Sequence, residues 1–353
     1  MTSPDKDFAA KRDHEAGAAD KAGHGRLAGQ AGFADRAGTA GPADLAGRGH
    51  RAAFAGHAGE EPLADYLRRQ AARIEAAFDR LFPADWVIPD RLLEAMRYSL
   101  DAGGKRMRPI LTLAAAEAFG GDAEAALPAA CAVELVHTYS LIHDDLPAMD
   151  NDDFRRGKPT NHRVFGEAMA ILAGDGLLTH AFHVIASGGL PPDRALAIIR
   201  ELAEYAGPRG MVGGQAADMM GERGITSLAE LEYIHLHKTS DLIVFSLRAG
   251  AHAAGAGEAG LEAVSRFGRN IGLAFQIRDD VLDVIGQESK LGKATQSDNR
   301  EQKVTYPFFL GVEASVEKIR ELTEEGKQAL LSGAVPHPER LLQIADYLSG
   351  RDH

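Results

Sequence analysis

The chain has 353 residues, enough for one large domain or two small ones. A net charge of −12 excludes a surface built for nucleic acid, yet leaves room for a small polyanion held by a local basic cluster. The single cysteine, Cys131, excludes an intrachain disulfide and a cysteine-rich metal site, and its alanine and valine neighbours predict a buried packing role.

Residues 1–60 form an Ala/Gly-rich segment with irregular AG dipeptides and almost no large apolar side chains. Such a stretch cannot bury enough surface to offset its ordering entropy, so it reads as a disordered tail. Its histidines, His14, His24, His50 and His57, are spaced too irregularly for a metal site. The start, MTSPDKDF, lacks the pattern of a signal peptide, and the apolar run LIVFSL at 242–247 is far too short for a bilayer span. The expectation is a soluble, cytoplasmic protein without stable membrane insertion.

From Glu61 the pattern is helical. LADYLRRQAARIEAAFDRLF and PDRLLEAMRYSL carry apolar residues at intervals of three and four, as an amphipathic helix requires. The same spacing recurs near 109–120, 124–143, 165–187, 193–205, 227–252, 258–285, 315–331 and 338–349, with turn signals such as LPPD and GAGEAG between. Strand-like alternation is absent. The expectation is an all-α domain over 61–353, a single-domain bundle of about ten helices.

The fourth of these helices ends in HDDLPAMD, with Pro147 as its stop signal. Carboxylates at a helix C-terminus oppose the macrodipole, so a cation is the natural explanation, and oxygen-only ligands point to Mg2+. Downstream, AFQIRDDVLDVIG puts Gln276, Asp279, Asp280 and Asp283 on one helix face, opposite an apolar stripe. Either cluster alone reads equally as a solvated acidic face. Two of them, each near basic residues, suggest a metal site inside a bundle. The cations lie in GGKRMRP (Lys105, Arg108), FRRGKPT (Arg155, Arg156), HKTS (Lys238) and a polar stretch holding Lys293 and Lys303. Any one of them could be an ordinary surface charge. Together they suit a phosphate-and-metal ligand.

In this order, GGKRMRP, LVHTYSLIHDDLPAMDNDDFRRGKPTNH, GGQAADM, HLHKTSDLI, AFQIRDDVLDVIG and KVTYP resemble the motifs of the trans-isoprenyl diphosphate synthases, over residues 62–353. The match is closest to the bacterial short-chain group, whose first acidic motif has four residues between Asp145 and Asp150. The resemblance implies an all-α isoprenoid synthase fold around a central active-site cavity, and a homodimer. It implies transfer of an allylic diphosphate's prenyl group to isopentenyl diphosphate, with the released diphosphate as base. The implied cofactor is Mg2+, about three ions per site with Mn2+ able to substitute.

By matching position, the resemblance makes Asp144, Asp150 and Asp279 metal ligands, with Asp145, Asp280 and Asp283 in support, and places Lys238 among the catalytic residues. Lys105, Arg108, His137 and Arg156 match the isopentenyl diphosphate pocket; Arg155, Lys238, Thr239, Gln276, Lys293 and Lys303 match the allylic side. Two positions depart from the family pattern. Gln296 stands where glycine is common, and Asp241 stands after KTS, where it could weaken a diphosphate contact or face solvent.

Tyr139 lies five residues before Asp144, about 7.5 Å along the helix axis. An aromatic at this place resembles members that form farnesyl diphosphate, while geranylgeranyl-forming relatives tend to carry a smaller residue; Tyr139 could also be a plain core residue. The expected product is (2E,6E)-farnesyl diphosphate, from dimethylallyl and then geranyl diphosphate, with a geranylgeranyl product as the alternative. A class I terpene cyclase needs no isopentenyl diphosphate site, which argues against it here. A regulatory subunit would normally have lost one acidic motif, and both are intact. A metal phosphohydrolase would need further ligating histidines.

Overall fold

In this computed structural model the described residues are 61–221, 224–225, 227–291 and 304–350, with side chains of 286–291 excepted. The N-terminal segment 1–60, Lys293, Gln296 and Lys303 lie outside the described residues. All ten periodic stretches are helices: α1 (Leu63–Phe78), α2 (Asp90–Leu100), α3 (Met107–Ala118), α4 (Ala123–Asp144), α6 (Glu167–Ala186), α7 (Pro192–Ala206), α10 (Asp241–Ala254), α11 (Glu258–Leu291), α13 (Val312–Ser332) and α14 (Glu339–Ser349). Three short helices were not foreseen as elements: α5 (Asn161–Phe165), α8 (Met211–Gly221) and α12 (Tyr306–Leu310). α9 (Leu228–Ile234) runs without a break through a π-helical turn, His235–Ser240, into α10. A two-residue pairing, β1 (Phe154–Arg155) with β2 (Lys158–Pro159), is the sole sheet among the described residues.

Local chemistry sets several ends. Asp122 caps α4 by accepting from the Glu124 N–H at 2.9 Å, and Ser227 with Glu230 forms a reciprocal capping box on α9. The β1–β2 turn is Arg156-Gly157, both at positive φ (53° and 74°), as a two-residue hairpin of right-handed twist demands.

The core is built on α4 and α10. Leu113, Leu135, Phe245 and Phe267 are fully buried between α3, α4, α10 and α11. Cys131 is buried as expected, and burial with the nearby Glu134 charge pushes its thiol up to about 12. α4 and α6 are each long and apolar enough to cross a bilayer, but they lie side by side in the bundle, and 72% of the apolar window of α4 is buried there. Two close approaches fix them antiparallel: His143 of α4 sits on Gly174, and Pro128 on Gly188. The C-terminal end of α4, with its aspartates, thus meets the N-terminal half of α6.

Candidate active site

The loop after α4 folds back over the helix end. The N–H groups of Asp145, Leu146 and Asp150 bond to the carbonyls of Leu141, His143 and Asp144, which caps those acceptors and brings Asp150 beside Asp144. Asp144 is half-buried and Asp150 exposed. Burial pushes the Asp144 carboxyl up to about 6; the Lys238 ammonium counters this, and the Asp150 carboxylate adds to it. Lys238 therefore bears on the first acidic motif from another element, the π-helical turn.

That turn is held from two sides. Lys238 Nζ donates to Asp218 of α8 at 2.5 Å. A Cβ on Gly214 of α8 would lie 2.1 Å from the Lys238 backbone nitrogen, so glycine is required for the approach and explains the GGQAADM motif. On the other side, His235 Nε2 lies 3.0 Å from Asp280 Oδ2 of α11, which also accepts the Tyr306 N–H at 2.8 Å. Asp280 is buried and its carboxylate is engaged in this network, while Asp279 is half-buried and Asp283 exposed. Thr239 is buried and Gln276 half-buried on the same two elements.

Asp241 does not face solvent. It is buried, and His237 Nδ1 lies 2.7 Å from its Oδ2, while burial pushes its carboxyl up.

The basic side gathers around the turn before α3. Gly103 and Gly104 adopt positive φ (81° and 141°), and the Arg156 guanidinium packs on Gly104 and donates to the Gly103 carbonyl. Arg106, also at positive φ (50°), turns inward instead. Its Nη1 is 2.7 Å from Glu134 of α4 and its Nη2 donates to the Leu100 carbonyl at 2.8 Å, with both charged side chains almost fully buried. Arg106 thus anchors the turn and leaves Lys105 exposed and Arg108 half-buried beside it.

Arg108 Nε is a buried donor with no acceptor. Burial lowers its pKa, and the neighbouring Arg156 charge lowers it further against the Glu134 carboxylate. His137 is held well below its ordinary value by burial and then by Arg108, Arg156, Arg155 and Arg106, so it is neutral. An orphaned guanidinium donor among mutually repelling cations is a site short of an anion. Arg155 is different: its Nε donates to Asp145 at 2.7 Å, so this guanidinium is already engaged by the first acidic motif. Burial nonetheless pushes the Asp145 carboxyl up.

Tyr139 is buried on α4 six residues back from Asp145, and burial plus the Asp144 charge push its hydroxyl up to about 12. The structure thus joins the first motif, Lys238, the Arg108–His137–Arg156 group and, through His235, the helix of the second motif. Sequence reasoning assigned no role to the anchors Glu134, Asp218, His235 and Arg106, although Asp218, His235 and Arg106 lie inside the motifs GGQAADM, HLHKTSDLI and GGKRMRP.

Among the described residues, no three His, Asp, Glu or Cys side chains converge closely enough to hold an ion alone. The donor set nevertheless fits Mg2+, which keeps water or substrate phosphate oxygens beside one or two carboxylates. The unfavourable burial of the Asp144 charge is what a divalent cation would relieve.

Comparison with known proteins agrees with this geometry. The polyprenyl synthetase family matches residues 89–331. A farnesyl diphosphate synthase of Geobacillus stearothermophilus is 50% identical over 291 residues, covering 82% of this chain and 97% of the relative. A geranylgeranyl diphosphate synthase of Cyanophora paradoxa is 46% identical over 297 residues, covering 82% and 97%. The crystal structure of an FPP/GFPP synthase from Zymomonas mobilis superimposes with a TM-score of 0.72 at 36% identity, covering 81% of this chain and 98% of that one. With its acidic lip, its anion-hungry arginines and its all-α frame, the chain belongs to the polyprenyl synthetase family, and is a trans-prenyltransferase of the isoprenoid synthase fold.

Proposed function

We propose that the protein condenses isopentenyl diphosphate with dimethylallyl and then geranyl diphosphate to give farnesyl diphosphate. The observation that carries this reading is the pairing of an acidic lip at Asp144 with an anion-poor basic group at Arg108, each needing what a diphosphate–metal substrate brings. Relatives named for farnesyl diphosphate, and a buried aromatic at position 139, support the fifteen-carbon product.

Asp144, Asp150 and Asp279, with Asp283 in support, would hold Mg2+ together with the allylic diphosphate; when bound, the ions neutralise the charge of the leaving diphosphate. Lys238, Thr239, Gln276 and the two lysines outside the described residues bind that group's remaining oxygens. Arg155 steadies Asp145 beside it. Lys105, Arg108 and Arg156 hold isopentenyl diphosphate, and neutral His137 can donate one hydrogen bond without adding charge. Positioning of the two substrates is then the chain's main contribution, and the proton lost at the end passes to the released diphosphate.

We assign the catalytic unit to residues 61–353 and place the protein in the cytoplasm. Self-association as a homodimer suits α6, whose outward face leaves Ile171 and Leu172 44% and 52% exposed. The decisive experiment incubates purified protein with dimethylallyl diphosphate, labelled isopentenyl diphosphate and Mg2+. Farnesyl diphosphate is the expected main product; folded protein that condenses none of the allylic starters would overturn the reading.

A further inference from the structure

We propose that His143, seated in the notch left by Gly174, is a wedge that fixes the position of Tyr139 and so takes part in setting product length. The inference rests on the chain-elongating function above and adds two residues to it. The Tyr139 and His143 rings meet edge to face, with centroids 5.7 Å apart and planes at 79°. His143 is backed in turn by α6. Its Nε2 lies 3.1 Å from the Ile171 carbonyl, which can only accept, so that nitrogen carries the proton. A Cβ on residue 174 would sit 2.1 Å from His143 Nε2, so the ring occupies the volume that any side chain at 174 would claim.

The Tyr139 ring is therefore one end of a stack that runs from α4 through His143 to the backbone of α6. Tyr139 can swing toward α6 only if His143 leaves. Without the imidazole, the tyrosine loses the partner on that side and gains a ring's volume to move into. The floor under a growing prenyl chain is then set by three residues, of which Gly174 acts by having no side chain.

The test reads the ratio of twenty- to fifteen-carbon product from dimethylallyl and labelled isopentenyl diphosphate. His143→Ala should raise that ratio at least about tenfold, an ordinary magnitude for one group that shapes a specificity pocket. His143→Phe, which keeps the bulk and loses the hydrogen bond, should stay near the parent ratio. His143→Ala/Gly174→Leu, which refills the vacated space from α6, should return toward it. Were His143→Ala to lose helicity, His143→Asn removes the ring, keeps a donor and reads the same ratio. An unchanged ratio in the ring-deleted variant, or a shift in His143→Phe as large as in His143→Ala, overturns the wedge while prenyl transfer stands. A parent protein that makes no prenyl product fails at the earlier step, and is thereby told apart.

Discussion

Replacing Glu134 by leucine tests how the basic turn is held. The Arg106 and Glu134 side chains are 1% and 3% exposed with an N···O distance of 2.7 Å. At an effective dielectric of about 20, the gross Coulomb attraction at that distance is roughly 6 kcal/mol, most of it offset by desolvation of the two charges. Removing only the carboxylate leaves the guanidinium buried. It keeps the Leu100 carbonyl, a distant contact to Glu75 at 3.4 Å and the Phe78 ring at 5.1 Å. The expected loss is about 3–5 kcal/mol, the usual cost of stranding one partner of a buried pair. Replacing both, as Arg106→Met/Glu134→Leu, should recover most of it. Urea unfolding followed by far-UV circular dichroism gives the midpoints, and the slope must be unchanged for the comparison to hold. A single variant that loses less than about 1 kcal/mol, or a double variant whose loss equals the sum of the singles, refutes this account of the turn.

Asp144→Ala should lower turnover by at least about a hundredfold with helicity retained, since it removes a charge that positions substrate; near-normal turnover would contradict the metal-holding role. Asp279→Ala should lower turnover likewise; Asp280→Ala should also lose about 1–3 kcal/mol of stability, because the His235 and Tyr306 donors are left unpaired, and a parent-like melting temperature for Asp280→Ala would contradict this. Tyr139→Ala should move product toward geranylgeranyl diphosphate, read by chromatography; an unchanged fifteen-carbon product would show that another group forms the floor. Glu201 of α7 binds Arg248 and His252 of α10, and these hydrogen bonds outweigh burial to hold its carboxyl at about 2 instead of 4.5. A folded-state pKa below the unfolded one gives stability that is full above pH 4.5 and lost as pH falls toward 2, about 3 kcal/mol in all. Glu201→Gln should lose that stability at neutral pH and flatten the acid limb of a stability–pH curve; an acid limb as steep as the parent's would refute it.

Helix existence was legible because each core-facing stripe repeats at the helical period, as in Leu92, Met96 and Leu100 of α2. α8 escaped because Gly213 and Gly214 spoil helix propensity, and their reason, room for the Lys238 backbone, lies in another element. The acidic and basic motifs were legible by composition and order, but which members turn inward was not. Arg106 and Arg108 are two residues apart in one motif, yet one is spent on Glu134 and the other has an orphaned donor; the partner that separates them is 28 residues away. The fate of Asp280 was hidden for the same reason, since its partners His235 and Tyr306 come from distant segments.

The π-helical turn at His235–Ser240 gives the rod from Leu228 to Ala254 a phase slip. An α-helix advances about 100° per residue, so one wider turn leaves the two halves of the rod on wheels that no longer coincide. A π turn takes in one residue more than the α turn it replaces, so a single deletion within 235–240 would leave a regular α-helix with both flanks in place. Leu242, Phe245 and Ala249 would keep the core and His235 would keep Asp280, while the side chains of the wide turn, Lys238 among them, would lose the projection it gives them. The same deletion in the middle of α13, where Leu322 and Thr323 are buried, has no wide turn to absorb it and would rotate one half of that helix by about 100° against its neighbours. The wide turn is thus where this rod can lose one residue with its flanks unmoved.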